Sequence, residues 1–275
     1  MGAGEIEVVG GLDVGGKASA RVDRFTHGDY WLRAPATALA PRRGRWRELW
    51  RRALPRGGYL KRTGLVSINE GFNTRTSKWT RYADLPAPRA HAMAAVARGL
   101  IYVFGGTADR QTKVETNAVF AYDPAANRWT TKAPMPVATS GGTATAIGDV
   151  IYVSMGDGSG AVYAYDAASD RWRTIPNAPS GARAAAAATS VGKLYLAGGN
   201  GFWKFAKSGV SVFDPSVEQW SVGAPLPHAV RFAAAVSTED GIGVFGGLTG
   251  VKTSTAYTQQ WDIGTGTWSI RTPMP

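Results

Sequence analysis

The chain has no cysteine in its 275 residues and only three histidines. The first absence removes disulfides, thiolate metal ligands and cysteine nucleophiles together. The second leaves His27, His91 and His228 without the close spacing of a metal-ligand set. No apolar run reaches the roughly 18–20 residues of a membrane span. The opening stretch MGAGEIEVVGGLDVGG has neither the basic start nor the apolar core of a signal peptide. Cysteine-free chains occur on both sides of membranes, so the compartment stays open. Acidic residues are scarce, 20 Asp/Glu against 31 Lys/Arg, for a net charge of +11. That excess is local. Residues 1–63 carry 13 basic and 6 acidic side chains, and Pro41–Arg62 holds nine of those basic residues with a single acid, Glu48. The remaining 212 residues are only mildly basic, which disfavours nucleic acid or an anionic membrane as the partner of the whole molecule.

What the chain does have is a repeat. Five times an aromatic residue precedes a tryptophan by seven positions: Phe72/Trp79, Tyr122/Trp129, Tyr165/Trp172, Phe213/Trp220 and Trp261/Trp268. Successive tryptophans lie 50, 43, 48 and 48 residues apart, each followed by a proline-bearing turn such as LPAP, APMP or TPMP. Within each unit the pattern predicts four strands. The first runs through small residues (Ala90–Val96, Gly141–Ile147, Ala184–Thr189, Phe232–Val236), which suits the crowded centre of a radial array. The second is short and apolar and ends in glycine (Ile101–Gly106, Ile151–Gly156, Leu194–Gly199, Ile242–Gly247). The third ends in aromatic-Asp, and the fourth carries the tryptophan. Asp123, Asp166, Asp214 and Asp262 then read as turn formers between outer strands, not as a carboxylate cluster. A four-stranded unit repeated every 45–50 residues or so is the signature of a β-propeller.

The double glycine, the aromatic-Asp, the tryptophan at fixed spacing and the closing P-M-P turn resemble the kelch repeats, clearly so from about Leu65 to Pro275. The resemblance implies a single all-β domain over 1–275, a kelch-type propeller of about six blades by count. Four are regular, over about 89–275. A partial blade over 1–40 is expected from Ile6–Gly11, Arg21–Phe25 and Trp31. In the kelch family one terminus usually donates a strand to the blade begun by the other. Here neither end supplies an inner strand to the first blade, so an incomplete ring is expected. Residues 41–88 have the length of a blade without its pattern. Trp46, Leu49, Trp50, Ala53 and Leu54 fall at helical spacing among arginines. A basic amphipathic helix, a diverged blade, and a stretch read out of frame all fit that segment.

Kelch propellers include a copper oxidase of galactose that needs a Tyr–Cys crosslink and two histidine ligands; without cysteine that activity is excluded. Other members are binding scaffolds, and this reading is preferred here: a non-enzymatic module that takes a protein or carbohydrate through loops near the central opening, with no cofactor and no metal. The binding residues expected are Arg89, Thr139, Arg183 and Arg231, each just before an inner strand, where arginine suits carboxylate or phosphate. The competing role for these arginines is to bond neighbouring turns and staple blade to blade. Trp203 and Lys204 join them because they lie outside the repeat pattern in a loop. Two alternatives stay open. One is a carbohydrate-active enzyme of the sialic acid mutarotase kind, for which Glu115 with Arg89 or Arg110 is the best acid/base set. The other is binding of nucleic acid or anionic membrane through the basic segment 41–62.

Overall fold

The computed structural model describes residues 6–12, 18–25, 31–34, 54–55, 58–60 and 64–73, and then 78–108, 114–180, 183–200, 205–250 and 253–274; side chains are described from residue 67 on, those of 72 and 73 excepted. Every regular element among the described residues is a strand. Four sheets have four antiparallel strands each in simple up-and-down order. These third to sixth blades span Met93–Lys132, Thr143–Thr174, Ala186–Gly223 and Ala234–Arg271. Among the described residues the first blade is incomplete, with three strands, Ile6–Leu12, Ala18–Phe25 and Trp31–Ala34. In the second, Leu54–Pro55 pairs with Asn69–Asn73, which pairs with Lys78–Tyr82, and Gly58–Leu60 with Gly64–Val66 forms a separate ribbon. The helical reading of Trp46–Leu54 lies outside the described residues except at Leu54, which is in a strand.

The first strands of the last four blades stand side by side, Met93–Ala97 against Thr143–Ile147, then Ala186–Ser190, then Ala234–Thr238. Small side chains let the sheets meet here at their narrow ends. Second strands such as Leu100–Phe104 and Val150–Ser154 are covered on both faces, so they read as continuous apolar runs instead of alternating ones. Between blades three and four, Met93, Tyr102, Phe104, Met135, Ile151, Val153 and Tyr165 form one buried cluster.

The sevenfold offset has a geometric cause. Tyr122 pairs across the third and fourth strands with Trp129, as do Tyr165 with Trp172, Phe213 with Trp220 and Trp261 with Trp268. Their ring centroids are 5.0, 4.9, 5.0 and 5.5 Å apart. Each indole then reaches the preceding blade. Trp129 Nε1 donates to Ala83 O at 2.8 Å, Trp172 to Ala133 O at 3.0 Å, Trp220 to Pro176 O at 2.7 Å and Trp268 to Ala224 O at 2.9 Å. The tryptophans are thus half-buried staples between blades. The turns between paired residues are held by aspartate, as its chemistry predicts. Asp123 Oδ1 accepts from the amides of Ala125 and Ala126, Asp166 Oδ1 from Ala168 and Ser169, Asp214 Oδ1 from Ser216, and Asp262 Oδ1 from Thr265.

The double glycine and the P-M-P turn belong together. A Cβ on Gly105 would lie 2.7 Å from Met135 Cε, and one on Gly246 would lie 2.6 Å from Met274 Cε. The closing turn of a blade plugs its own glycine strand. In the fourth blade both members change: Met155 stands in the glycine's place and the small Ala178 in the methionine's, and both are buried.

Candidate binding site at the axial end

Each last-four blade enters its inner strand through a residue with left-handed backbone: His91, Gly141, Ala184 and Phe232, with φ of 54, 68, 54 and 54°. These four are linked blade to blade. Gly141 N donates to His91 O at 2.9 Å, Ala184 N to Gly141 O at 3.3 Å, and Phe232 N to Ala184 O at 2.8 Å. The strands proper begin two residues later, at Met93, Thr143, Ala186 and Ala234, so the sequence reading placed each start two or three residues early. The loops after the double glycines fold back on this end: Thr107 bridges Ala90, Asn200 N donates to Arg183 O, and Leu248 bridges Arg231.

The arginines do not share one position. Ala90, Ser140, Arg183 and Arg231 are equivalent, because a Cβ on Gly106, Gly156, Gly199 or Gly247 would collide with their respective carbonyl oxygens. Arg89 stands one place earlier, with Thr139 and Val230; the carbonyls of those two accept from Gly106 N and Gly199 N of the preceding blade. The expectation of equivalent positions for Arg89, Arg183 and Arg231 is corrected by that one-residue shift. It fails because the arginines occupy neighbouring positions in entry turns of equal length, six residues from Leu85 to His91 as from Leu226 to Phe232, which the hydrogen-bond register distinguishes.

Their surroundings differ accordingly. Arg89 is 7% exposed, donates from Nη1 to Pro88 O at 2.9 Å, and lies 5.5 Å from the Phe120 ring centroid. Burial draws its pKa below the ordinary arginine value. Arg231 is 6% exposed, and its Nε and Nη2 donate to Gly250 O at 3.4 and 3.1 Å. Thr139 is buried, with its Oγ1 accepting from Gly156 N. Only Arg183 is exposed, and among the described residues its side chain makes no ion pair. Glu115 accepts from Ser140 Oγ at 2.7 Å, a contact from one blade's loop to the next blade's entry turn. Arg110, Trp203 and Lys204 lie outside the described residues, as does most of the basic segment 41–62.

Sequence reasoning passed over Phe232 and Phe205. Both are strongly exposed, at 54% and 66%. For Phe232 a signal existed: a large aromatic sits where the other units carry histidine, glycine or alanine. No group of three or more potential metal ligands occurs among the described residues, and no helix among them is long and apolar enough to cross a membrane.

Repeated four-stranded sheets with their inner strands side by side, stapled by periodic tryptophans, define a β-propeller. The chain belongs to the kelch-repeat family: the model of the KLHDC2/KLHL20/DRC7 Kelch-repeats domain matches residues 52–247. The solved structure of YjhT superposes with a TM-score of 0.82, covering 99% of this chain and 95% of that one at 16% identity, a likeness of fold. Among curated relatives, Kelch-like protein terF of Aspergillus terreus (strain NIH 2624 / FGSC A1156) is 36% identical over 96 residues, 34% of this chain and 21% of the relative. Beta-scruin of Limulus polyphemus is 32% identical over 101 residues, 35% and 11% respectively. Kelch-like protein 35 of Mus musculus is 30% identical over 132 residues, 46% and 22%. The matched stretches thus span about a fifth of these relatives or less.

Proposed function

We propose that the chain is a binding scaffold that recognises a protein or carbohydrate partner at the axial end of its propeller, with Arg183 as the charged contact. The observation that carries this reading is the exposed guanidinium of Arg183 beside the linked entry turns, while the other two entry arginines are turned into their own surroundings. An exposed arginine on a backbone fixed by hydrogen bonds suits bidentate capture of a carboxylate. Arg231 instead bonds the loop of its own blade, through Gly250 O. Panning of the wild-type protein against a random-peptide phage library and a glycan array tests the reading. Ligands from either source are expected to weaken by about tenfold or more on Arg183→Ala. Ligands insensitive to that change would refute the assignment. The absence of cysteine excludes galactose-oxidase chemistry in this chain.

A further inference from the structure

The outer strand of each blade ends its sheet, so one edge of its backbone has no strand partner among the described residues. Natural sheets guard such edges with charge, lysine above all. This chain does so with one exception. Trp31–Ala34 carries Arg33, Lys78–Tyr82 carries Lys78 and Arg81, and Arg128–Lys132 is basic at both ends. Arg171–Thr174 carries Arg171 and Arg173, and Thr267–Arg271 ends in arginine. Gln219–Gly223, the outer strand of the fifth blade, reads QWSVG, with no charge and no proline.

The unguarded strand also bears the most exposed apolar side chain. Val222 is 79% exposed, more than any other large apolar residue among those described. Cross-strand register sets it opposite Ser211, and the same place on the other rims is taken by Arg81, Thr131, Thr174 and Ile270. Ile270 is itself 56% exposed, but Arg271 follows it. Trp220 lies two residues before Val222 and hence on the same face of the strand. Its ring packs on Phe213 and its Nε1 donates to Pro176 O, which fixes that face.

Charge decides what fits this edge. An acidic partner is drawn to the rims of the second to fourth blades, where Lys78, Arg128 and Arg171 precede their tryptophans. A second copy of a chain with net charge +11 is repelled from those rims, and meets no like charge on this strand. Glu218, just before the strand, is already paired with Arg173 of the fourth blade. The segment is also self-complementary. About a two-fold axis through Ser221, antiparallel pairing sets Trp220 of each copy opposite Val222 of the other, an aromatic and β-branched pair on one face. Gln219 then stands opposite Gly223 on the other face.

We propose that the Gln219–Gly223 edge is the contact of a two-fold homodimer, in which two fifth blades join as one continuous antiparallel sheet. A five-residue edge covers less than the roughly 800 Å² per partner of a stable complex, so dissociation is expected at about tens of micromolar. The dimer stands whether or not the axial end binds a partner.

Sedimentation velocity on the full chain is expected to pass from monomer to dimer between about 1 and 200 μM. Val222→Lys should stay monomeric over that range, with a melting temperature within a few degrees of dilute wild type. Thr131→Lys, at the same place on the third blade, should dimerise as wild type does. Because the chain has no cysteine, Ser221→Cys introduces a single thiol. A short bismaleimide should join two such copies. It should fail with Gln219→Cys, whose two copies stand about 13 Å apart along the paired strands. A wild-type monomer throughout the range overturns the proposal. So does a dimer that Val222→Lys leaves intact, or one cross-linked through Gln219→Cys and not through Ser221→Cys. Open-ended association, or a monomer that loses its library-selected peptides on Val222→Lys, gives the edge to another occupant and overturns it too.

Discussion

The turns between outer strands and the loops at the axial end come from the same repeat, yet they have diverged to different degrees. Each outer turn of the last four blades solves one problem in one way. An aspartate, at 123, 166, 214 or 262, caps backbone amides, and a left-handed residue (Asn127, Asp170, Glu218 or Gly266) brings the tryptophan opposite its aromatic partner. Two of these left-handed residues also hold the previous blade: Asn127 Oδ1 accepts from Ala83 N, and Asp170 Oδ1 from Ala133 N. At the axial end the backbone is just as regular, but the side chains on it are not. The residue after the glycine strand is Thr107, Asp157, Asn200 or Leu248, and the left-handed entry residue is His91, Gly141, Ala184 or Phe232. Where one physical demand recurs, the chemistry recurs. Where only the backbone is needed, side chains are free to vary.

The largest effect expected on either side of that comparison is at the rim. Trp172→Ala removes an indole packed on Tyr165 and its bond to Ala133 O, and should cost about 3–4 kcal/mol in urea unfolding, near the low end for aromatic truncations because the ring is half-buried. A loss under about 1 kcal/mol would dissolve the claim that the tryptophans join blades. Next comes the shared backbone of the axial end. Gly199→Ala places a Cβ 2.7 Å from Arg183 O at φ of +95°, and should cost about 2–3 kcal/mol. Arg231→Ala should follow at about 1–2 kcal/mol, through its lost bonds to Gly250 O. Arg183→Ala, by contrast, should stay within about 0.5 kcal/mol of wild type. Equal losses for these two arginines would erase the distinction between the buried, hydrogen-bonded one and the exposed one.

The smallest expected effect is in acid. The Asp214 carboxylate is held at a pKa of about 2 by the Ser216 hydroxyl, Lys193 and the Ser216 amide, and Asp166 and Asp262 are also lowered, mainly by turn amides. A folded pKa below the unfolded one means stabilisation that is present above about pH 4 and lost as pH falls toward 2. Melting temperature should therefore fall over that window, less steeply in Asp214→Asn. An identical acid slope in the variant would show that the rim aspartate contributes nothing to the pH dependence. Tyr122, by contrast, has its pKa pushed up to about 12 by burial, so it stays neutral throughout that window.

Much of this architecture was legible beforehand because its causes are local. A hairpin turn of fixed length sets the aromatic-to-tryptophan offset, and an aspartate caps the turn within three residues of itself. Small residues marked the inner strands, although the left-handed residue at each entrance shifted the true strand starts. Met155 and Ala178 show the limit. Each breaks the motif when read singly, and both are buried in the folded blade.

The sequence by itself determined the repeating sheets, the turns that close them and the exclusion of cysteine chemistry, because each follows from residues near one another in the chain. Only the tertiary structure decided where the arginines sit and how far each is buried. Arg89 and Arg183 look alike in sequence, but their register is set by which carbonyl faces a glycine from another segment, and their exposure by what packs over them. The same holds for Phe232, which passed for the first residue of a core strand. Its left-handed backbone and its hydrogen bond to the neighbouring blade turn it out toward solvent.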